Sequence, residues 1–112
     1  MTAAPGPALV WCPFANPDEA RSTASVLLDE GLIACANILP EMESHFVWNG
    51  LRDTAREAGA LFKTNCDMLE KVVARLEVLH PYAQPAIVGW RCDVATPATA
   101  AWLGGLGDES QD

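Results

Sequence analysis

Short apolar runs alternate along this chain with longer stretches of helical period, and a glycine, a proline or a polar cap closes nearly every one. The runs "ALVWCPF" (8–14) and "LIACANIL" (32–39) are too short for independent helices and are bounded by breakers, which predicts two interior strands. Between them lies "NPDEARSTASVLLDEG" (16–31). Asn16 can cap a helix there, Pro17 suits its first position, Glu19 completes a capping-box spacing and Gly31 stops it. Ala20, Ala24, Leu27 and Leu28 recur at helical spacing and predict one buried stripe.

The segment "SHFVWN" alternates, with Phe46 and Trp48 on one face and His45, Val47 and Asn49 on the other. The second strand is therefore expected to resume after Pro40 and to end at Asn49-Gly50, a hairpin dipeptide. "AGALFKT" (58–64) reads as the returning third strand of a long hairpin. From Asn65 to His80 the positions Leu69, Val72, Val73, Leu76 and Leu79 keep helical spacing until Pro81 ends the run. "AIVGWRCD" (86–93) is the fourth strand, and a short helix carrying Trp102 follows Thr96-Pro97. The end, "GGLGDESQD", is expected to fray.

Strand, helix, strand, strand, helix, strand is the split order of a ferredoxin-like α+β sandwich, a βαββαβ unit here with a short C-terminal helix. At 112 residues, half of them hydrophobic, residues 1–112 are expected to form a single domain with an ordered core over about 8–104. Two helices cover only one face of four strands. The other face would carry Phe, Trp, Ile and Val side chains in the open, a patch larger than soluble monomers tolerate, so an oligomer is expected.

Charge narrows the partners. Fifteen acids against seven bases give a net charge of −8, which argues against a nucleic-acid footprint. No apolar stretch approaches the roughly 20 residues of a membrane span, and the opening "MTAAPGPALVW" lacks a signal-peptide pattern, so no membrane and a cytoplasmic location are expected. The four cysteines lack zinc-knuckle spacing and would stay thiols in that compartment.

In order along the chain stand "GLIACANILP", "SHFVWNG", Glu57 before "LFKT", and "HPYAQP". In that combination the sequence resembles the CutA divalent-cation-tolerance family, from about Ala8 to Trp102. The resemblance implies a compact homotrimer whose long hairpins reach across to neighbouring subunits, and a role in tolerance of copper and other divalent metals. The chain departs from the family at three places: Ala86 stands where glutamate is usual, and Phe46 and Thr99 stand where tyrosine is usual. These changes thin the polar lining expected of the family's intersubunit cleft.

Cys12, Cys35 and His80 are the candidate metal ligands, since thiolate and neutral imidazole both suit copper. Cys12 matches, by resemblance, a first-strand cysteine proposed as a copper ligand in some enterobacterial members. Plainer readings stand beside each: His80 can bond the last carbonyls of its helix, and Cys35 can pack as a small hydrophobe in the core. Glu57, Lys63 and Tyr82 are the candidate cleft residues, with a structural ion pair as the alternative for Glu57 and Lys63. Phe46 and Trp48 are the candidate subunit-interface residues. In "HPYAQP", Pro81 stops the helix, Pro85 admits a strand only at its first residue, and Tyr82 is pinned between them.

Three functions compete on these residues. The leading expectation is a trimeric, non-enzymatic metal-binding protein of divalent-cation (copper) tolerance, with no organic cofactor. The second is a small-molecule sensor using clefts between subunits, like the nitrogen-regulatory PII proteins, although no Gly-rich phosphate loop supports a nucleotide. A thiol enzyme is third, because nothing places Cys12 or Cys35 beside His80 with a third orienting group.

Overall fold

The computed structural model describes residues 4–107, so residues 108–112, most of the tail expected to fray, lie outside the described residues. Strand β1 (Pro7–Phe14) leads into helix α1 (Pro17–Asp29), whose start is set locally. Asn16 is extended, with φ −156° and ψ 166°, and its side-chain oxygen accepts the Glu19 N–H at 2.9 Å. Only this half of the capping box forms: Glu19 Oε2 is buried without a hydrogen-bond partner. Gly31, at φ +71°, takes the left-handed conformation that ends the helix. The helix buries Ala20, Thr23, Ala24 and Leu27. Leu28, expected in that stripe, is 45% exposed, because it sits about 100° around the axis from Leu27.

Strands β2 (Cys35–Trp48) and β3 (Leu51–Asn65) form the long hairpin. Its loop is Asn49-Gly50, with φ of 53° and 79°, the left-handed pair of a two-residue hairpin turn. β2 does not break at Pro40. Instead the register slips there: Leu39 faces Gly59 and Met42 faces Glu57, so Pro40 and Glu41 oppose Ala58 alone. A proline has no N–H for the ladder, and a bulge absorbs the loss. β3 begins at Leu51, well before the expected Ala58, since Leu51–Glu57 pair with the far half of β2.

Helix α2 (Leu69–Leu79) starts four residues later than its periodicity suggests, because buried Asn65 has another task. Its Oδ1 accepts the N–H groups of Asp67 and Met68, each at 3.1 Å, and its Nδ2 donates to the carbonyls of Leu103 (2.9 Å) and Leu106 (3.1 Å). One side chain thus turns the chain into α2 and anchors α3 (Pro97–Gly104). Strand β4 (Val88–Arg91) is half the expected length and pairs with β1 alone.

The sheet order is β2-β3-β1-β4, antiparallel throughout, which is the ferredoxin-like α+β arrangement. Alternation along β1 sends Ala8, Val10, Cys12 and Phe14 toward the helices, where they pack with Phe62, Leu27, Val72 and Leu76. The opposite face carries Leu9 and Trp11, with Val88 and Trp90 beside them on β4. The latter two are 54% and 44% exposed. The far half of the hairpin pairs only with itself. It stretches the molecule to 51 × 27 × 21 Å.

Candidate functional site

The backbone carbonyl of Pro13, near the end of β1, is a hub. Cys12 Sγ lies 3.6 Å from it and His80 Nε2 lies 2.7 Å from it. His80 is where α2 stops: its own N–H still bonds Leu76 O at 2.9 Å, but its φ and ψ of −70° and 134° are extended. Pro81 follows and forces that exit. The imidazole stacks on Phe14, with centroids 4.5 Å apart and planes 13° from parallel. Its Nδ1 accepts the backbone N–H of Tyr82 at 3.1 Å. A nitrogen accepting at Nδ1 and facing a carbonyl at Nε2 defines the neutral tautomer with the proton on Nε2. His80 is therefore a buried bracket between β1 and the 81–87 loop, with both nitrogens in use.

The bracket positions Tyr82. Its ring lies tilted against His80, centroids 4.5 Å apart, and its hydroxyl donates to Glu57 Oε2 at 3.0 Å. Burial, and then the hydrogen bond to Glu57, push the phenol up to about 12, so the proton stays on Tyr82 and the charge on Glu57. Burial, and then the Glu57 charge, push the Cys12 thiol up to about 12 as well. Beside this cluster opens a cleft of about 380 Å³. Its walls come from three places: Ser44, Phe46 and Trp48 of the hairpin; Pro13 and Glu57 of the sheet; and Tyr82, Gln84 and Ala86 of the loop entering β4.

The candidate residues separate into groups. Cys12, His80, Glu57 and Tyr82 come together around Pro13, and Phe46 and Trp48 stand across the cleft, 40% and 55% exposed. Lys63 is not with its expected companions. It lies six residues up β3 from Glu57, about 20 Å of strand, facing Cys35 across the β2–β3 ladder. An ion pair between Lys63 and Glu57 is ruled out by that spacing. Cys35 is not a core residue either: it is half-buried, with its thiol 3.6 Å from Asn37 Oδ1, and the alternation that sends Ala36 to the core sends Cys35 to the open face. Cys12 and Cys35 therefore point to opposite faces of the sheet.

A divalent metal needs several donors converging on one point. Among the described residues no group of three or more His, Cys, Asp or Glu side chains does so. Cys12 holds its proton and His80 has no lone pair to spare, so within one chain Cys12, Cys35 and His80 do not fit a resident metal. All four cysteines are unpaired. The residues that the sequence did not single out are Pro13, through its carbonyl, and Gln84 and Ser44 of the cleft. The position of Pro13, next to Cys12 in a strand whose neighbours face the core, was the available signal.

The fold is thus a four-stranded ferredoxin-like sheet with an over-long hairpin, and a cleft opens where that hairpin meets the loop after α2. Residues 8–105 match the CutA1 divalent ion tolerance protein family, and the chain belongs to that family. It is 36% identical over 95 residues to the divalent-cation tolerance protein CutA of Pyrococcus horikoshii, covering 85% of this chain and 92% of that one. The crystal structure of the divalent ion tolerance protein CutA1 from Ehrlichia chaffeensis superposes with a TM-score of 0.84 at 26% identity, covering 90% of this chain and 94% of the other. The periplasmic divalent cation tolerance protein CutA from Archaeoglobus fulgidus shares the fold, with a TM-score of 0.81 at 24% identity, over 95% and 99% of the two chains.

Proposed function

We propose that this chain is a non-enzymatic divalent-cation tolerance protein, with copper as the metal, working as a homotrimer in the cytoplasm. The observation that carries the reading is the open sheet face: Leu39, Val88 and Trp90 are each more than two-fifths exposed on a chain of the CutA1 family. Two further copies would cover that face. The absence of catalysis rests on chemistry. A thiol pushed up to about 12 is no nucleophile at neutral pH, and a histidine bonded at both nitrogens is no free base. Among the described residues no helix is long and apolar enough to cross a membrane, and four unpaired thiols suit a reducing compartment.

Copper titration of the purified protein, followed by the thiolate-to-copper charge-transfer band, tests the metal. Saturable binding at micromolar copper is expected. Of the three candidate ligands, half-buried Cys35 is the one a metal can reach, since Cys12 is buried and His80 is bonded at both nitrogens, so Cys35→Ser should weaken binding while Cys12→Ser and His80→Ala leave it unchanged. No saturable binding removes copper from the reading.

One observation favours a second reading, a small-molecule sensor in the manner of the PII proteins: the cleft of about 380 Å³ with a carboxylate held in place by Tyr82. Stabilisation against heat by organic ions and not by metals would select it.

A further inference from the structure

We infer that the cleft between the hairpin and the loop after α2 is the socket for Trp102 of a second copy of this chain, so that each subunit closes its neighbour's cleft with its own α3. The inference rests on the trimer reading, and it gives the cleft a protein occupant in place of a small molecule.

α3 is a poor helix to leave in water. From Val94 to Leu106 no side chain carries a charge, and the helix is apolar on every side, the pattern of a buried helix. Its own chain nevertheless buries only Leu103 of it and leaves Trp102 51% exposed. The helix cannot turn to hide that ring. Asn65 Nδ2 holds the carbonyls of Leu103 and Leu106, and the Gly104 backbone lies so close to Ala4 and Pro5 that a Cβ there would come within 3.2 Å of both.

The same tether keeps Trp102 from its own cleft. Asn65 pairs with Pro7 at one end of β1, and the cleft opens beside Pro13 at the other, six residues or about 20 Å away. The two patches stand at opposite ends of one sheet, and each needs a cover from outside. A contact between two different patches of the same chain runs head to tail and makes a ring where the rotation closes. Between them lies the open face of Leu9, Trp11, Val88 and Trp90, so the contact is continuous with the face that the trimer covers.

The chemistry of the patches matches. An indole is apolar apart from one N–H, which donates and cannot accept. The cleft offers carbon surfaces from Pro13, Phe46, Trp48 and Ala86, and it offers acceptors: the Ser44 hydroxyl, the Gln84 amide oxygen and Glu57 Oε1, the carboxylate oxygen that Tyr82 leaves open. A buried indole N–H seeks such a partner while its rings pack on other aromatics. At about 380 Å³ the cleft has room for the bicyclic ring. The hairpin tip is a worse occupant, because Leu51 is followed by Arg52 and Asp53, whose charges would have to leave water with it. Among the exposed aromatics of the described residues, Phe46, Trp48 and Tyr82 line the cleft themselves and Trp90 stands in the sheet opposite Leu9, which leaves Trp102.

The test reads the assembly of the full chain by size-exclusion chromatography with light scattering over a dilution series, with far-UV circular dichroism to follow the subunit's own fold. Trp102→Ala should raise the concentration at which the trimer falls apart at least about tenfold, and Trp102→Phe, which keeps an aromatic ring and loses the N–H, should raise it by less. Ala86→Trp fills the socket from its own wall and should weaken the trimer as well. Adding Trp102→Ala to Ala86→Trp should then cost nothing further, the non-additivity of two residues that meet. A trimer indifferent to both Trp102 variants, or effects of Ala86→Trp and Trp102→Ala that simply add, overturns the inference and leaves the trimer standing. Loss of the subunit's own fold in Trp102→Phe would assign the ring to packing within its chain and overturns it too. A wild-type chain that runs at its own mass overturns the trimer reading and the socket together.

Discussion

A single carboxylate, Glu57, organises the ionisation of its neighbours. It raises the cost of charge on Cys12 and, with its hydrogen bond, on Tyr82, while burial does the larger part for both. The consequence is a stability that depends on alkaline pH. Both groups are acids that hold their protons more tightly when folded: the thiol moves from 9.0 and the phenol from 10.0, each to about 12. A raised folded value means that the stabilisation is complete below the unfolded value and is lost as pH climbs toward the folded one. Urea midpoints should therefore stay level up to about pH 9 and fall between there and 12, with Cys92, also raised by burial, adding to the onset. Three units for Cys12 correspond to a loss on the order of 4 kcal/mol across the window. Cys12→Ala should remove the part that begins near pH 9, and Tyr82→Phe the part that begins near 10. An unchanged alkaline slope in the double variant would refute this account.

At the level of elements, what the sequence displays is what local chemistry decides. Asn16, Pro17 and Gly31 bound α1 by capping and backbone freedom, and Asn49-Gly50 turns the hairpin, so both were legible without knowing any neighbour. The first half of β3 was not: Arg52, Asp53, Thr54 and Arg56 are solvent-facing on both sides of the hairpin, and a strand with no buried face has no period-2 signal. The phase of "LIACAN" was equally hidden, because small apolar residues on both faces of a strand do not say which face is core, and Cys35 with Lys63 went to the open face, some six residues of strand away from Glu57. Glu57 and Tyr82 were expected in a cleft and Phe46 and Trp48 at a subunit interface; the hairpin and the loop after α2 bring all four around one cleft. The closeness of sheet elements also predicts a cost. A Cβ added at Gly59 would fall inside the envelope of the Trp11 ring, 2.9 Å from Cζ2, and 3.1 Å from Met42 Sδ. Gly59→Ala should thus lift Trp11 off the sheet and destabilise the fold by about 1–3 kcal/mol, with a red shift of tryptophan emission. A stability within measurement error of the parent would show that the ring moves freely and does not pack there.

On the scale of the whole molecule, the chain is more extended than a compact protein of its length. Its radius of gyration is 15.1 Å, against about 13 Å for a compact chain of this length. It exposes 7170 Å² where a monomer of 12.0 kDa typically exposes about 6,000 Å². The surplus is apolar in the wrong places: Val88, Trp90 and Leu39 on the open sheet, Phe46, Val47, Trp48 and Leu51 on the hairpin. The helices lie on the other face, and α3 reaches only the corner that Asn65 ties to Leu103. A closed ring of three copies would solve both problems, each hairpin lying against a neighbour and each open sheet covered. Burying one large aromatic such as Trp48 there would contribute about 2–4 kcal/mol. Size-exclusion chromatography with light scattering should give about three times the 12.0 kDa chain mass, and Trp48→Asp, which leaves the helix-covered core of the subunit intact, should run as a smaller species or aggregate. A well-folded wild-type chain that runs at its own mass at micromolar concentration would mean that water tolerates this sheet uncovered, and the trimer would have to be abandoned.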